Sequence, residues 1–386
     1  MESNIDDDYD DDDDIDIEGI IGMHTPTSIF SKWKPTLSHL SVSTAIQFRQ
    51  CPLSFFFKNA INLDTGNIYA FAGIKLHELL ENFYYNIACP IPNSIIIPDG
   101  EQTEIKIDKS KDGINEYFSI VLNMLSDVMN LNEILTYDNS SRVSRDLYAG
   151  AIKTLDAFAK DETIRYLNTP PNLFKPVIIE GKIQYRIDNL PVPILGYIDV
   201  VLPSPDPTVK ELIPKDYKNR SDISGKLYDK IQAYIYALGI HKLYDYTPRK
   251  FIFKQIHYKH LKNAQLLYDK NIYPILPETV VKVSPKKFQN IENIMSKIYA
   301  DMMDKSNYKF HFDRDKCPNY FCNYKPVCLI NGFIHDEYIR PIHNELANAR
   351  FEKKNIKLPM IHVRDGEELN PFKDGFQSVG EYLGNA

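Results

Sequence analysis

Asp199, Asp216 and Lys218 are the residues whose types and spacing most directly suggest chemistry. Asp199 lies in Gly196-Tyr197-Ile198-Asp199, inside a stretch of period-two, β-branched character, and Asp216-Tyr217-Lys218 ends the next such stretch. Residues two apart on a strand share a face, so Asp216 and Lys218 point together. If the two stretches pair as a hairpin, Asp199 can join them. Two carboxylates and an ammonium on one strand face are costly to bury without a use. A hard divalent cation, Mg2+ or Mn2+, would be bound by the carboxylate oxygens. The lysine could then orient or activate a water and offset phosphate charge. The ordinary alternative is a solvated face carrying a salt bridge.

Other residues keep company with this set. Gln232 and Tyr236 are four apart on a helical stretch and share a face. His77 lies in Gly73-Ile74-Lys75-Leu76-His77 on an earlier helical stretch, and Glu180 ends the first strand-like stretch. Taken singly, these read as a helix surface, a satisfied histidine and a strand-end charge. Cys317-x4-Cys322-x5-Cys328 gathers three thiols near the end of the chain, with Cys51 far upstream and Cys89 left over. Five cysteines is an odd number, and no basic segment followed by an apolar core marks the N-terminus for export. Thiolate ligation of a soft metal is therefore favoured over a disulfide framework. Cys89 reads as a small buried apolar residue.

The elements that must position these residues follow from periodicity. Ser41 and Ser43 are plausible caps for a first helix. Further helices are expected over 73–87, 112–130, 145–167, 227–238 and 285–303. Strands are expected over 177–186, 194–202, 209–218, 251–258 and 280–283. Pro214 removes a ladder donor just before Asp216, so that strand is expected to be bulged or at an edge. This order gives an α/β protein: a small mixed sheet flanked by helices, with a helical N-terminal elaboration and a cysteine-rich C-terminal end. Residues 1–37 form an acidic leader expected to be disordered. Residues 38–170 form a helical part, residues 171–330 the core with the cysteines, and residues 331–386 an extension of unassigned role.

Composition sets the limits. Of 386 residues, 43% are hydrophobic and 25% charged, an ordinary globular mix. No apolar run approaches a membrane span, so a protein working inside a cell, in the cytoplasm, is expected. The net charge of -7 hides an asymmetry: residues 1–22 carry eleven acids and no Lys or Arg. Without them, 45 basic residues face 41 acidic ones, a balance of +4, which is compatible with a polyanion partner. No Gly-x4-Gly-Lys-Ser/Thr is present, so the chain has no P-loop ATPase of its own. The abundant Ile, Asn, Lys and Tyr suit an AT-rich genome, compatible with a virus.

The order Leu40-Ser41-Val42-Ser43, Phe48-Arg49-Gln50-Cys51-Pro52, Gly73-x3-His77, Glu180, Gly196-x2-Asp199, Asp216-x-Lys218 and Gln232-x3-Tyr236 resembles the RecB-like branch of the PD-(D/E)XK nucleases. It is most similar to the CRISPR-associated RecB-like exonucleases and their viral relatives. The resemblance implies a restriction-endonuclease-like core and a metal-dependent DNA nuclease, of exonuclease type. It implies metal ligation by His77, Asp199, Asp216 and the backbone carbonyl of Tyr217. It gives Lys218 the activation of the attacking water, and Gln232 and Tyr236 the support of site and DNA, with Glu180 as a possible support. It also implies a [4Fe-4S] cluster held by Cys51, Cys317, Cys322 and Cys328, with Zn2+ as the rival occupant. DNA is the implied partner, and a helicase, a single-strand-binding protein or an annealing protein could accompany it. The alternative is a catalytically silent DNA-binding or scaffold protein that retains the fold.

Overall fold

Five strands form the central sheet of the computed structural model, in simple spatial order: β1 (Ile178–Tyr185), β2 (Ile194–Pro203), β3 (Leu212–Lys218), β4 (Lys250–Gln255) and β5 (Glu278–Lys282). The structure describes residues 36–59, 68–87, 94–96, 102–104, 107–137, 141–209, 211–220 and 227–304. Residues 1–35 of the acidic leader, Cys89, the three C-terminal cysteines and the 331–386 extension lie outside these residues. Neighbouring strands are antiparallel except β3 and β4, which run parallel and are joined by the crossover helix α6 (Leu227–Tyr244, numbered after the five helices below).

The helices preceding the sheet are α1 (Val42–Gln50), α2 (Pro52–Asn59), α3 (Ile68–Asn86), α4 (Lys111–Val128) and α5 (Arg142–Leu167); α7 (Phe288–Met303) follows it. Serines start three of them. Ser41, Ser110 and Ser141 each accept from a backbone N–H three residues on, satisfying a donor the helix would otherwise leave open. A small hairpin, Ser94–Ile96 with Gln102–Glu104, interrupts a region expected to be purely helical.

The sheet separates two apolar cores. Helices α1, α2, α6 and α7 cover one face, with Phe48, Phe55, Ile235, Phe251, Ile291 and Met295 among the buried residues. Helices α3, α4 and α5 cover the other, with Leu80, Phe83, Phe118, Phe158 and Tyr217 buried there. The result is a three-layer α/β/α arrangement, in agreement with the expected fold class. The segment before α1 is stitched into the sheet: Leu40 N donates to Pro193 O at 2.9 Å, and Leu195 N to Leu40 O at 3.0 Å. Among the described residues no helix is long and apolar enough to cross a membrane.

Pro214 shows how the sheet accommodates a missing donor. Strand β3 is the central strand, not an edge strand. Its first half, Leu212 to Lys215, has registered partners in β2, and its second half, Lys215 to Lys218, has them in β4. Pro214 sits in the half registered only with β2, where one side asks for no N–H.

Candidate active site

Strands β2 and β3 part where the expected site residues meet. Their register runs from Pro203–Leu212 to Val200–Lys215 and stops there. Beyond that point a side chain replaces the ladder: the Tyr217 N–H donates to Asp199 Oδ2 at 2.5 Å. The partner strand β1 is irregular at the same level. Glu180 has a left-handed backbone (φ 45°) and interrupts the β1–β2 register between the Ile179–Val200 and Gly181–Ile198 pairs. The side-chain alternation of β2 also changes there. Ile198 packs in one core but Val200 and Leu202 in the other, whereas strict period two would put all three on one face. A non-glycine residue in that region is strained by about 1–3 kcal/mol, and such strain is characteristic of functional positions.

Asp216 and Lys218 share a face as their spacing requires, with Lys218 Nζ 2.5 Å from Asp216 Oδ2. Gln232, on α6, spans the pair: its Oε1 accepts from Lys218 Nζ at 2.9 Å and its Nε2 donates to Asp216 Oδ1 at 3.2 Å. Lys218 also lies over the Phe253 ring, 5.3 Å from its centroid. Tyr236, one helical turn after Gln232, places its ring over Gly196, where an added Cβ would stand 2.5 Å from Tyr236 Cε1. This is a steric reason for Gly196. Gly73 has no such neighbour, since nothing lies within 4 Å of the position a Cβ would take.

His77, on α3, approaches from the opposite layer, its Nδ1 3.3 Å from Asp199 Oδ1 and its side chain 34% exposed. The Tyr217 side chain points into that layer too, with its hydroxyl 2.8 Å from that of Tyr84. The structure therefore brings His77, Glu180, Asp199, Asp216, Lys218, Gln232 and Tyr236 to one place. Glu81, four residues after His77 on α3, feels the same charges and was missed by sequence reasoning, although the His77-x3-Glu81 spacing offered a signal.

The electrostatics of this pocket are those of crowded acids. Burial pushes Asp216 up to about 6, with Lys218 opposing and Asp199 reinforcing the rise. Glu180 is pushed up to about 7, by burial first and then by Asp199 and Glu81. Glu81 rises by burial, Glu78 and Asp199. Burial alone would lower His77, but Asp199 outweighs it and its pKa stands above the ordinary value. Among the described residues no three His, Cys, Asp or Glu side chains close into a ligand shell. The donor set nonetheless suits a hard divalent cation. It offers carboxylate oxygens and an imidazole, its carboxylates repel one another, and buried Asp216 Oδ2 faces the Lys218 ammonium at 2.5 Å.

Cys51 follows α1 directly, and Pro52 opens α2. It is half-buried against the core that α7 also lines. Arg49, two residues earlier, pairs with Asp301 of α7 at 3.0 Å. The chain leaving α7 toward Cys317 thus starts beside the helix that ends at Cys51.

No curated protein matches the chain. A protein of Eubacterium rectale provisionally named an exonuclease is similar in structure over 79% of this chain and 94% of its own, at 11% identity and a TM-score of 0.37. A second solved structure, designated SSO0001, covers 52% of this chain and 83% of its own at 13% identity and a TM-score of 0.27. The sequence profile of the PD-(D/E)XK nuclease superfamily, whose members generally use divalent metals such as Mg2+ or Mn2+, matches residues 39–329. That span holds the whole sheet and every residue gathered around Asp216, and the chain belongs to this superfamily of nucleases.

Proposed function

We propose that the chain is a Mg2+- or Mn2+-dependent deoxyribonuclease acting as an exonuclease. The observation that carries this reading is the Asp216–Gln232–Lys218 bridge beside Asp199, at the point where β2 and β3 separate. A divalent ion held by Asp199, Asp216, His77 and the Tyr217 carbonyl would supply charge neutralisation at the scissile phosphate. Gln232 keeps the Lys218 ammonium oriented, so that a water beside it can be held for attack. Asp199, fixed by the Tyr217 N–H, keeps the opening between the strands at constant width. Tyr236 closes the floor over Gly196.

A second metal centre accompanies this reading. Cys51 with Cys317, Cys322 and Cys328 would hold a [4Fe-4S] cluster, each thiolate supplying one iron. The placement of Cys51 beside the start of the path from α7 supports that layout. About four irons per chain in protein purified without oxygen would support the cluster, whereas one zinc and no iron would replace it with the rival metal.

The test of the nuclease reading is degradation of end-labelled linear and covalently closed circular DNA with Mg2+ or Mn2+. Release of labelled mononucleotides or short products from linear DNA alone is expected, with EDTA abolishing it. Cutting of the circle would replace the exonuclease with an endonuclease. Binding without cleavage under any divalent ion would favour a silent DNA-binding protein.

A further inference from the structure

Immediately beside the acid-crowded pocket lies a turn of opposite charge. Strand β4 ends at Gln255, in register with Lys218. The next residue, Ile256, donates its N–H to Lys218 O at 3.0 Å, so the chain leaving β4 is tied to the last residue of the Asp216–Lys218 segment. A 3-10 turn, Tyr258–Asn263, follows at once. His257 Nδ1 accepts from Lys259 N at 3.2 Å. His260 Nε2 lies 3.0 Å from Arg220 O, and since a carbonyl only accepts, that nitrogen donates. The turn is thus fastened to both ends of Lys218-Asn219-Arg220.

It is also seated from behind. Thr154 of α5 donates to Ile256 O at 2.8 Å. The Tyr258 ring lies so close over Gly150 of α5 that a Cβ there would stand 2.5 Å from Tyr258 Cδ1. The turn is therefore held in place rather than draped over the surface. Lys259 and Lys262 are exposed on it, and among the described residues neither pairs with a carboxylate. Burial first, and then Lys259 and His260, pull His257 down to about 4, which fits a local excess of positive charge.

We infer that the turn of residues 257–263 binds the phosphodiester backbone of the DNA strand whose scissile phosphate sits at Asp216 and Lys218, with Lys259 and Lys262 making the contacts. The inference rests on the nuclease reading for the identity of the strand, but its own basis is the fastening of unpaired cations beside the pocket. Lys259 is three residues past the Ile256–Lys218 hydrogen bond, at most about 11 Å of chain. It is therefore placed for phosphates adjoining the reacting one. The acid pocket attracts a metal and repels phosphate, and a cationic neighbour on the same edge supplies the missing attraction along the strand.

The test compares the full chain with the double variant Lys259→Glu/Lys262→Glu. Fluorescently labelled single-stranded and duplex oligonucleotides are titrated across a salt series with EDTA present, and the tighter ligand is used. Affinity at low salt is expected to fall about tenfold or more, and the slope of log Kd against log salt to become shallower by about 1–2. KM for DNA degradation should rise with it. Lys286→Glu/Lys297→Glu, which reverses two charges at and near α7 on the other layer, is the control and should shift affinity far less. Equal affinity and slope for the turn variant and wild type, or an effect no larger than the control's, would overturn the inference. The binding arm needs no cleavage. A wild-type chain that binds without cutting would break the nuclease reading, while the two slopes would still decide the turn.

Discussion

Two clusters of buried charge flank β3, and they are built on opposite principles. On the face toward α6 and at the strand's end, Asp199, Asp216, Glu180 and Glu81 outnumber Lys218 and His77, and three of the four acids are pushed upward in pKa. On the other face, Lys215 and Lys254 meet Asp161 and Glu278 in a balanced group. Lys215 Nζ is 3.0 Å from Glu278 Oε1, Lys254 Nζ is 2.9 Å from the same oxygen, and Lys254 also pairs with Asp161. Asp161 Oδ1 further accepts from the N–H groups of Ile275 and Leu276 at 2.8 and 3.1 Å. Burial alone would lower Lys254, but Asp161 foremost holds its pKa well above the ordinary value. Burial alone would raise Glu278, but Lys254 and then Lys215 bring it down to about 2. The balanced cluster sets two ammonium groups against two carboxylates and ties α5, β3, β4 and β5 together, although burial still raises the Asp161 pKa against the pull of Lys254. The acid-rich one sets four acids against Lys218 and His77.

The contrast breaks most visibly if one carboxylate is removed from each. Asp161→Ala would leave the fully buried Lys254 short of its main partner and two backbone N–H groups without an acceptor. A loss of about 3–5 kcal/mol is expected, a large share of a domain's stability, to be read by urea unfolding. A loss below about 1 kcal/mol would mean the balanced cluster is not structural. Asp216→Ala should do the reverse. Its removal relieves crowding, so the melting temperature should hold or rise without metal. DNA degradation should nevertheless fall at least ~100-fold, about 2.7 kcal/mol of barrier. Lys218→Ala should lose rate similarly while still binding metal. Wild-type rates in either variant would remove the pocket from the chemistry.

Acidification sharpens the difference further. Glu278 has a folded pKa near 2, below its unfolded value of 4.5, so its contribution is complete above about pH 4.5 and is lost as pH falls toward 2. The loss should amount to about 1–3 kcal/mol. Glu278→Gln should flatten the decline in melting temperature across that window, and an unchanged slope would show that Glu278 is not the group titrating. The smallest effect concerns the leader. Deleting residues 1–22 removes eleven acids, and DNA affinity should then rise a few-fold at low salt, the gain fading as salt screens it. Equal affinities with and without these residues would confine the leader to another role.

These comparisons also show what could be read in advance. Asp216, Lys218, Gln232 and Tyr236 were legible because period two and period 3.6 each put one pair on one face. The hairpin brought in Asp199 as expected, but by a route no spacing encodes: its carboxylate takes the place of a ladder carbonyl where the strands diverge. Left-handed Glu180 lies at that point, and nothing in its side chain announces a positive φ. Lys215 carries no spacing signal of its own. It is a buried cation answering Glu278 across the sheet, and the other members of its cluster, at 161, 254 and 278, are too far apart in sequence to form a motif. Gly196 has a steric reason in the Tyr236 ring, which only the packing of α6 reveals.

The ion pair between Arg49 and Asp301 has a consequence for how the chain is made. It marks the closure of a core whose contributors span nearly the whole described sequence, from Leu40 to Met302, whereas the opposite core is assembled from residues 68 to 276. A ribosome releasing the chain from its N-terminus delivers the second core first. Phe48, Phe55 and the α6-facing side of the sheet must wait, apolar and uncovered, until Ile291 and Met295 emerge. Contacts of such long sequence separation form slowly. The interval before α7 docks is therefore when this nuclease is most exposed to aggregation, and α7 is the element whose arrival ends it.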